Sequence, residues 1–202
     1  MGGQRRYRSV LLLGCPGSGK GTQGEVLGRL PNMLHLAMGD IFRSLDKATD
    51  LGREFLSYAT KGLLVPDELT IRAFRQHVDG RLEHGTYDPA YHTLILDGIP
   101  RTPAQVDLLA DVIDVKRIVH LVIDDNDVII ARLRGRAAKA DRPDDADVEV
   151  IRTRIQVYER ETSPVIDKYP NSLVARVNAD QPPLAVLRDV ADCLVTAVPA
   201  KV

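Results

Sequence analysis

The chain has 202 residues, enough for a buried core, and we expect residues 1–202 to form one domain. Its 27 basic and 28 acidic residues give a net charge of −1, which argues against a nucleic-acid-binding protein. No segment approaches the ~20 apolar residues that span a bilayer, and residues 1–8 lack the apolar stretch of a secretion signal. With only two cysteines, Cys15 and Cys193, we expect a reduced cytoplasmic protein without a disulfide framework or a four-thiolate zinc site.

Five short apolar runs predict parallel strands buried on both faces, because they are rich in Val, Ile and Leu and do not alternate with polar residues. They are Ser9–Leu13, Leu34–Ala37, Leu94–Leu96, Ile118–Ile123 and Leu173–Val177. Helical spacing is found in Thr22–Leu30, Pro66–Glu83, Thr102–Ile113, Asp127–Arg136, Val148–Tyr169 and Leu184–Val195. This alternation predicts an α/β fold with a doubly wound, five-stranded parallel sheet and helices on both faces.

Ligands of such sheets bind beyond the carboxyl ends of the strands. The first predicted strand ends at Gly14, the second ends before Gly39-Asp40, and the third ends at Asp97-Gly98. Glycine and aspartate therefore gather at one edge of the predicted sheet, where we expect the functional site.

The first strand is followed by a glycine-rich segment, Gly14–Gln23, with the sequence GCPGSGKGTQ. Its glycines allow successive backbone N–H groups to converge on a phosphate, and the following helix adds its positive N-terminal end. Lys20 supplies a mobile positive charge for the phosphate that is transferred. Cys15 is expected to be a variable residue of which only the backbone matters, the alternative being a redox-sensitive thiol.

Gly21 separates Lys20 from Thr22, whereas the general phosphate-loop motif has Ser or Thr directly after the lysine. In this respect the loop resembles that of the adenylate kinase family of nucleoside monophosphate kinases. The segments Met38–Arg43 and Asp97–Arg101 are similar to two further motifs of that family. The resemblance extends over nearly the whole chain and implies a single P-loop NTPase-type kinase domain.

The resemblance also implies the residues of the site. Catalytic roles are implied for Lys20, Arg101, Arg132, Arg142 and Arg154. The implied ATP site consists of Pro16, Gly17, Ser18, Gly19, Lys20, Gly21, Thr22, Arg132, Arg136 and Gln181. The implied AMP site consists of Met38, Gly39, Arg43, Leu64, Val65, Gly98, Arg101, Gln105, Arg142 and Arg154. Asp97 is expected to hold water ligands of the Mg²⁺ ion that accompanies ATP.

The chemistry of the implied reaction explains the many arginines. Both substrates are polyanions and the acceptor oxygen is already ionised, so catalysis requires positioning and charge neutralisation and no general base. By resemblance, Arg43 and Arg101 grip the acceptor phosphate, and Arg136 lies over the donor nucleotide. The transferred group is expected to be surrounded by Arg132, Arg142 and Arg154, with Arg152 as the alternative to Arg154. Asp40 is expected to cap a helix.

Two inserts are implied by the resemblance: a monophosphate-binding arm at residues 37–65 and a short lid at residues 135–145. The segment Arg136–Asp147 is charged and poor in apolar residues, which predicts an exposed, mobile loop. Asp144 and Asp145 are expected to pair with lid arginines. The lid lacks cysteines and so resembles the short-lid branch of the family, whose members are commonly monomers.

The predicted function is reversible transfer of the γ-phosphoryl group of ATP to AMP. Met38 replaces a hydroxyl residue that contacts the acceptor base in the family, which would relax the selectivity for AMP. Gln105 favours AMP, because uridylate–cytidylate kinases tend to carry Asn at that position. The alternatives are a UMP/CMP or broad-specificity monophosphate kinase and, from another class, a nucleotide-binding module without kinase activity. A module of that kind has no need for the arginine motifs.

Overall fold

The computed structural model describes residues 6–138 and 145–197. It contains a five-stranded, all-parallel sheet with the order β2-β3-β1-β4-β5. The strands are β1 Tyr7–Gly14, β2 Met33–Ala37, β3 Thr93–Asp97, β4 Ile113–Val122 and β5 Val174–Asn178. The α/β fold class predicted from the sequence is therefore confirmed.

Eight α-helices are found among the described residues. They are α1 Lys20–Leu27, α2 Met38–Arg43, α3 Asp50–Ala59, α4 Asp67–Glu83, α5 Pro103–Leu109, α6 Asn126–Ala137, α7 Val148–Val157 and α8 Pro183–Val195. Helix α7 continues into a π-helical turn, Tyr158–Thr162, which is followed by the 3₁₀ segments Ser163–Lys168 and Asn171–Leu173. In the part of the chain that the structure describes, no helix is both long and apolar enough to cross a membrane.

Two predicted helices differ from the structure. The predicted helix Thr102–Ile113 ends at Leu109, because the β-branched residues that follow it join strand β4 from Ile113 onward. The predicted helix Val148–Tyr169 is not continuous, and its last part has 3₁₀ geometry from Ser163 with a proline in its first turn. Helix α3, within the implied arm, was not predicted from the sequence, and of α2 only a helix capped by Asp40 was expected.

The strand β1 lies at the centre of the sheet and is covered on both faces. Leu11 and Leu13 belong to a core cluster formed with residues of α2, α4 and α5. Val10 and Leu12 belong to a second cluster formed with residues of α1 and α8. Because successive strand residues point to opposite faces, one apolar run contributes to two cores, as a doubly wound sheet requires.

The register of the parallel strands places their polar ends side by side. Asp97 of β3 is paired with Leu12 of β1 and with Ala37 of β2. The carboxylate at the end of β3 therefore lies between the glycine-rich loop that follows β1 and the first turn of α2, which begins at Met38. This arrangement creates the site at the sheet edge that the sequence predicted.

Candidate active site

A cavity of about 750 Å³ opens at the carboxyl ends of the strands. It is lined by the glycine-rich loop, the start of α2, the segment before α4, the segment after β3, and parts of α6, α7 and the chain after β5. It brings together these residues implied by the resemblance: Pro16, Gly17, Ser18, Gly19, Lys20, Gly21, Thr22, Met38, Gly39, Arg43, Leu64, Val65, Asp97, Gly98, Arg101, Gln105, Arg132, Arg136, Arg154 and Gln181. Arg142 lies outside the described residues.

The glycine-rich loop holds Lys20 by its own backbone. The Nζ atom of Lys20 donates hydrogen bonds to the carbonyl oxygens of Gly14, at 2.7 Å, and Cys15, at 3.0 Å. Gly19, immediately before helix α1, has a φ of 96°, a conformation that favours glycine. Burial lowers the pKa of Lys20 to about 8, although the nearby Asp97 carboxylate opposes that change. The ammonium group is thus kept at the base of the loop, where a phosphate would meet it.

The side chain of Cys15 is buried in the protein core. It is buried in a small core cluster with Ile129 and Leu133 of α6 and with Ile151 and Ile155 of α7. Burial raises the pKa of Cys15 to about 11, although Lys20 partly offsets that rise. Because the thiolate is the reactive form, this environment favours the inert interpretation over a redox-sensitive thiol.

Asp97 has a neighbour that the sequence analysis missed. The Nε2 atom of His35 lies 3.9 Å from Oδ2 of Asp97, and it is buried without a hydrogen-bond partner among the described residues. Two glycines of the α1 region make room for this ring. A β-carbon at Gly24 would lie 2.3 Å from Nε2 of His35, and one at Gly28 would lie 2.6 Å from its Cβ. The sequence signal that could have found His35 is its position as the polar residue within the apolar run Leu34–Ala37.

The surroundings of Asp97 fit a magnesium ion that arrives with a nucleotide. Within residues 6–138 and 145–197, no group of three or more His, Cys, Asp or Glu side chains forms a metal cage. Mg²⁺ typically uses one or two carboxylates and takes its remaining ligands from phosphates and water. Asp97 supplies one such carboxylate, and it lies beside the first turn of α1. A β-carbon at Gly21, in that turn, would be 3.8 Å from Oδ2 of Asp97.

Two arginines of the predicted acceptor site fold back over glycines. A β-carbon at Gly39 would lie 3.0 Å from Nη2 of Arg43, and one at Gly98 would lie 3.1 Å from Nη2 of Arg101. Arg43 also forms an ion pair with Asp40. The expected capping role of Asp40 is wrong, because α2 begins at Met38 and its N-cap makes no side-chain hydrogen bond. Asp40 instead anchors the guanidinium group of Arg43.

The apolar wall of this part of the cavity contains Met38, of which only 2% is exposed, together with Leu64 and Val65. The buried Gln105 lies on the same side. The side-chain amide of Gln105 accepts a hydrogen bond from the backbone N–H of Arg101 and donates one to Asp67. The only polar base-reading candidate that the sequence predicted is therefore held in place by two partners.

Asp145 gathers two arginines into what we call the arginine cluster, consisting of Asp145, Arg136 and Arg154. Arg136 donates to both carboxylate oxygens, from Nε at 2.6 Å and from Nη2 at 3.0 Å, and Arg154 donates from Nη1 to Oδ1. Burial alone would raise the pKa of Asp145, but the hydrogen bonds and charges of the two arginines outweigh it and lower that pKa. The expected pairing of Asp145 with a lid arginine is thus found, but its expected exposure is wrong, since the side chain is fully buried. Asp144 lies outside the described residues.

The structure distinguishes between Arg152 and Arg154. Arg154 lines the cavity, and 17% of its side chain is exposed. Arg152 is more than half exposed and lies 3.9 Å from Glu149 on the surface of α7. The geometry therefore favours Arg154 as the site residue.

Arg132 lies on the side of the cavity formed by the chain that follows β5. Its Nη1 atom donates to the carbonyl oxygen of Ala179 at 2.8 Å, and its Nη2 atom lies 3.5 Å from Asp180. Gln181, in the same segment, donates to the carbonyl oxygen of Asn178 at 2.8 Å. These contacts hold Arg132 beside the segment that contains Gln181, to which the resemblance also assigns ATP binding.

The parallel sheet, the glycine-rich loop with its buried lysine, and the arginines around one cavity define a nucleotide-binding protein of the phosphate-loop class. Comparison with known proteins narrows this class. The family described as "Adenylate kinase" matches residues 12–174. The chain therefore belongs to the adenylate kinase family.

Curated relatives named "Adenylate kinase" agree with this assignment. The chain is 38% identical over 175 residues to the protein of Kocuria rhizophila. This alignment covers 84% of the chain and 89% of the relative. It is 38% identical over 170 residues to that of Corynebacterium urealyticum, covering 82% and 87%, respectively. It is 35% identical over 196 residues to that of Renibacterium salmoninarum, covering 94% and 95%.

Proposed function

We propose that the protein is an adenylate kinase that transfers the γ-phosphoryl group of ATP to AMP, reversibly and with Mg²⁺, to form two ADP. The observation that carries this proposal is that one cavity contains both the phosphate loop and a second set of arginines, Arg43 and Arg101. A protein that only binds or hydrolyses a triphosphate needs the first set alone. Two sets within one cavity suit a transfer between two phosphorylated nucleotides.

The donor side is formed by the glycine-rich loop and the chain that follows β5. The loop N–H groups and the N-terminus of α1 bind the phosphates, and the Lys20 ammonium group contacts the transferred phosphate. Arg132 is held beside Ala179, where its flat guanidinium group can cover the donor base. In this assignment the adenine lies against the main chain near Gln181.

The acceptor side binds AMP through Arg43 and Arg101. Each guanidinium group is charged at all physiological pH values and can hold a phosphate with two hydrogen bonds. The attacking oxygen belongs to an ionised phosphate, so no side chain has to remove a proton from it. The contribution of these arginines is to reduce the repulsion between two anions and to align them.

The arginine cluster lies between the two sides. Asp145 fixes the guanidinium groups of Arg136 and Arg154, so fewer rotamers have to be ordered when the phosphates bind. We assign these two arginines to the charge that develops on the transferred group, which exchanges the roles that the resemblance implied for Arg132 and Arg136. Arg142 retains the same role as a proposal based on the family resemblance alone.

Asp97 is the residue that would hold a Mg²⁺ ion, through water. When bound, the ion would supply positive charge that offsets the negative charge of the ATP phosphates. The carboxylate of Asp97 also faces Lys20 and raises its pKa against the effect of burial. Asp97 therefore favours the charged form of Lys20 as well as offering oxygen ligands.

The organisation of the enzyme follows from the same resemblance. We propose a monophosphate-binding arm at residues 37–65 and a short lid at residues 135–145, whose closure excludes water from the transfer. We also propose a cytoplasmic monomer with no nucleic-acid or membrane partner. The balanced charge and the two free cysteines are consistent with this description.

A UMP/CMP or broad-specificity kinase is the second candidate, and Met38 is the observation that favours it. A buried thioether packs against any base and offers only a weak hydrogen-bond acceptor. Gln105 favours AMP by resemblance, because uridylate–cytidylate kinases tend to carry Asn at that position.

Incubation of the protein with Mg-ATP and each of AMP, UMP, CMP and GMP, followed by quantification of the diphosphates, tests the proposal. We expect the fastest formation of diphosphate with AMP. Formation of no diphosphate from any acceptor would overturn the kinase assignment in favour of a binding module, and a faster reaction with UMP or CMP would overturn the AMP assignment. Lys20→Ala, purified in the same way, controls for contaminating kinases.

A further inference from the structure

The amide of Gln105 is held in one orientation by two groups with fixed hydrogen-bonding roles. The backbone N–H of Arg101 donates to Oε1 at 2.7 Å, and Nε2 donates to Oδ1 of Asp67 at 2.8 Å. A backbone N–H can only donate, and an ionised carboxylate can only accept. Rotation of the amide by 180° would place oxygen against the carboxylate and nitrogen against the N–H. The orientation of the Gln105 amide is therefore fixed by one neighbour that can only donate and one that can only accept.

Asp67 is itself fixed by its position. It is the first residue of α4, and its Oδ1 also accepts a hydrogen bond from the hydroxyl group of Thr102 at 3.0 Å. The Thr102 oxygen caps α5 by accepting from the backbone N–H of Gln105 at 3.1 Å. Three residues from two helix N-termini thus form one closed network, which leaves the carboxylate little freedom to move.

The amide retains hydrogen-bonding capacity for a ligand. An amide oxygen accepts two hydrogen bonds and an amide nitrogen donates two, so Oε1 and Nε2 of Gln105 each have one left beyond the network. Gln105 lines the cavity together with Met38 and Val65. The wall therefore presents an acceptor and a donor side by side in a fixed order.

We propose that Asp67 is a specificity-determining residue for the acceptor base, acting through the orientation of Gln105; this inference rests on the proposed kinase function. The fixed order matches a base edge with an amino group beside a ring nitrogen acceptor. Adenine and cytosine have this edge, whereas guanine and uracil have a carbonyl oxygen beside a ring N–H. The site selects adenine over guanine and cytosine over uracil, so the same rule applies to purines and to pyrimidines.

Comparison within each size class tests the rule, because AMP and GMP, like CMP and UMP, differ little in size. We expect kcat/KM to favour AMP over GMP and CMP over UMP. In Asp67→Asn, whose side chain can donate as well as accept, only the backbone N–H of Arg101 still opposes rotation of the Gln105 amide. Both ratios are then expected to fall by about tenfold or more. Glu68→Gln, an exposed neighbour in the same helical turn, removes the same charge and should leave both ratios unchanged.

A general loss of stability lowers all four rates together and leaves the ratios unchanged, so the ratios report on the orientation of Gln105. If Asp67→Asn does not fold, Asp67→Ala removes the same acceptor and is expected to lower the ratios too. Unchanged ratios in a folded Asp67 variant, or a wild-type preference for GMP over AMP or for UMP over CMP, would overturn the inference. Calorimetric binding of the four monophosphates gives the corresponding ratios of affinity without turnover. Absence of transfer would therefore refute the kinase function alone, and unchanged binding ratios would refute the role of Asp67.

Discussion

The two sides of the cavity are built in different ways. On the proposed donor side, the loop Gly14–Gln23 holds its own lysine, because Lys20 donates to the carbonyl oxygen of a residue six positions earlier. On the acceptor side, Gln105 is oriented by Asp67, a residue 38 positions away in the sequence. The donor side is a local backbone structure, whereas the acceptor side is a network of side chains from separate segments. Substitutions should therefore affect the donor side through charge and backbone, and the acceptor side through lost partners.

The largest loss of activity is expected when Lys20 on the donor side or Arg101 on the acceptor side loses its positive charge. Lys20→Ala and Arg101→Ala should each lower kcat/KM by about 10²–10³-fold, because each removes a charge that stabilises the transferring phosphates. If the two sides are separate, Lys20→Ala should raise the KM for ATP more than that for AMP, and Arg101→Ala should do the reverse. Steady-state kinetics with both substrates varied gives these constants, and circular dichroism checks the fold. Full activity of Arg101→Ala would show that the acceptor site has been placed wrongly.

The arginine cluster between the two sides allows a test of stability. Asp145→Asn leaves two guanidinium groups without their shared buried carboxylate, and the free energy of unfolding should fall by about 3 kcal/mol. Urea denaturation measures this change. Glu149→Gln, which alters an exposed pair with Arg152 on α7, is expected to have a much smaller effect. Equal stability of the two variants would mean that the buried pairing contributes little.

The glycines under the acceptor arginines give a smaller effect. Gly98 has a φ of 81°, and a β-carbon there would lie 3.1 Å from Nη2 of Arg101. Gly98→Ala should lower the free energy of unfolding by about 1–2 kcal/mol and raise the KM for AMP. Gly80, inside α4, has open space around its β-carbon position, so Gly80→Ala should stabilise by up to about 1 kcal/mol. Thermal unfolding and steady-state kinetics of the two variants test this prediction. Equal changes in stability for Gly98→Ala and Gly80→Ala would contradict it.

The smallest effect concerns pH and the donor side alone. Burial lowers the pKa of Lys20 to about 8, so its ammonium group loses the proton as pH rises through that value. kcat/KM for ATP reports on the free enzyme and should fall about fivefold from pH 8 to pH 9. In Lys20→Arg the guanidinium group stays charged, and this descending limb should disappear from the residual activity. Persistence of the same limb in Lys20→Arg would assign it to another group.

Several features were readable from the sequence because the information for them is local. The apolar runs predicted all five strands, since a strand buried on both faces has to be apolar throughout. The glycine spacing and the displaced Thr22 predicted the phosphate loop and the family. The start of β4 at Ile113 was missed, because β-branched residues near a helix end satisfy either element until a neighbouring strand pairs with them.

The sequence by itself determined the sheet, the phosphate loop and the set of arginines, because these depend on residue type and on short spacings. Only the tertiary structure decided that Asp40 binds Arg43 and does not cap α2, that Asp145 is buried between two arginines, and that Asp67 orients Gln105. The partners in the last contact belong to separate elements, and a hydrogen bond between elements leaves no periodic signal in the chain. The proposed donor side was therefore largely predictable, whereas on the proposed acceptor side Gln105 was predicted but its contact with Asp67 was not.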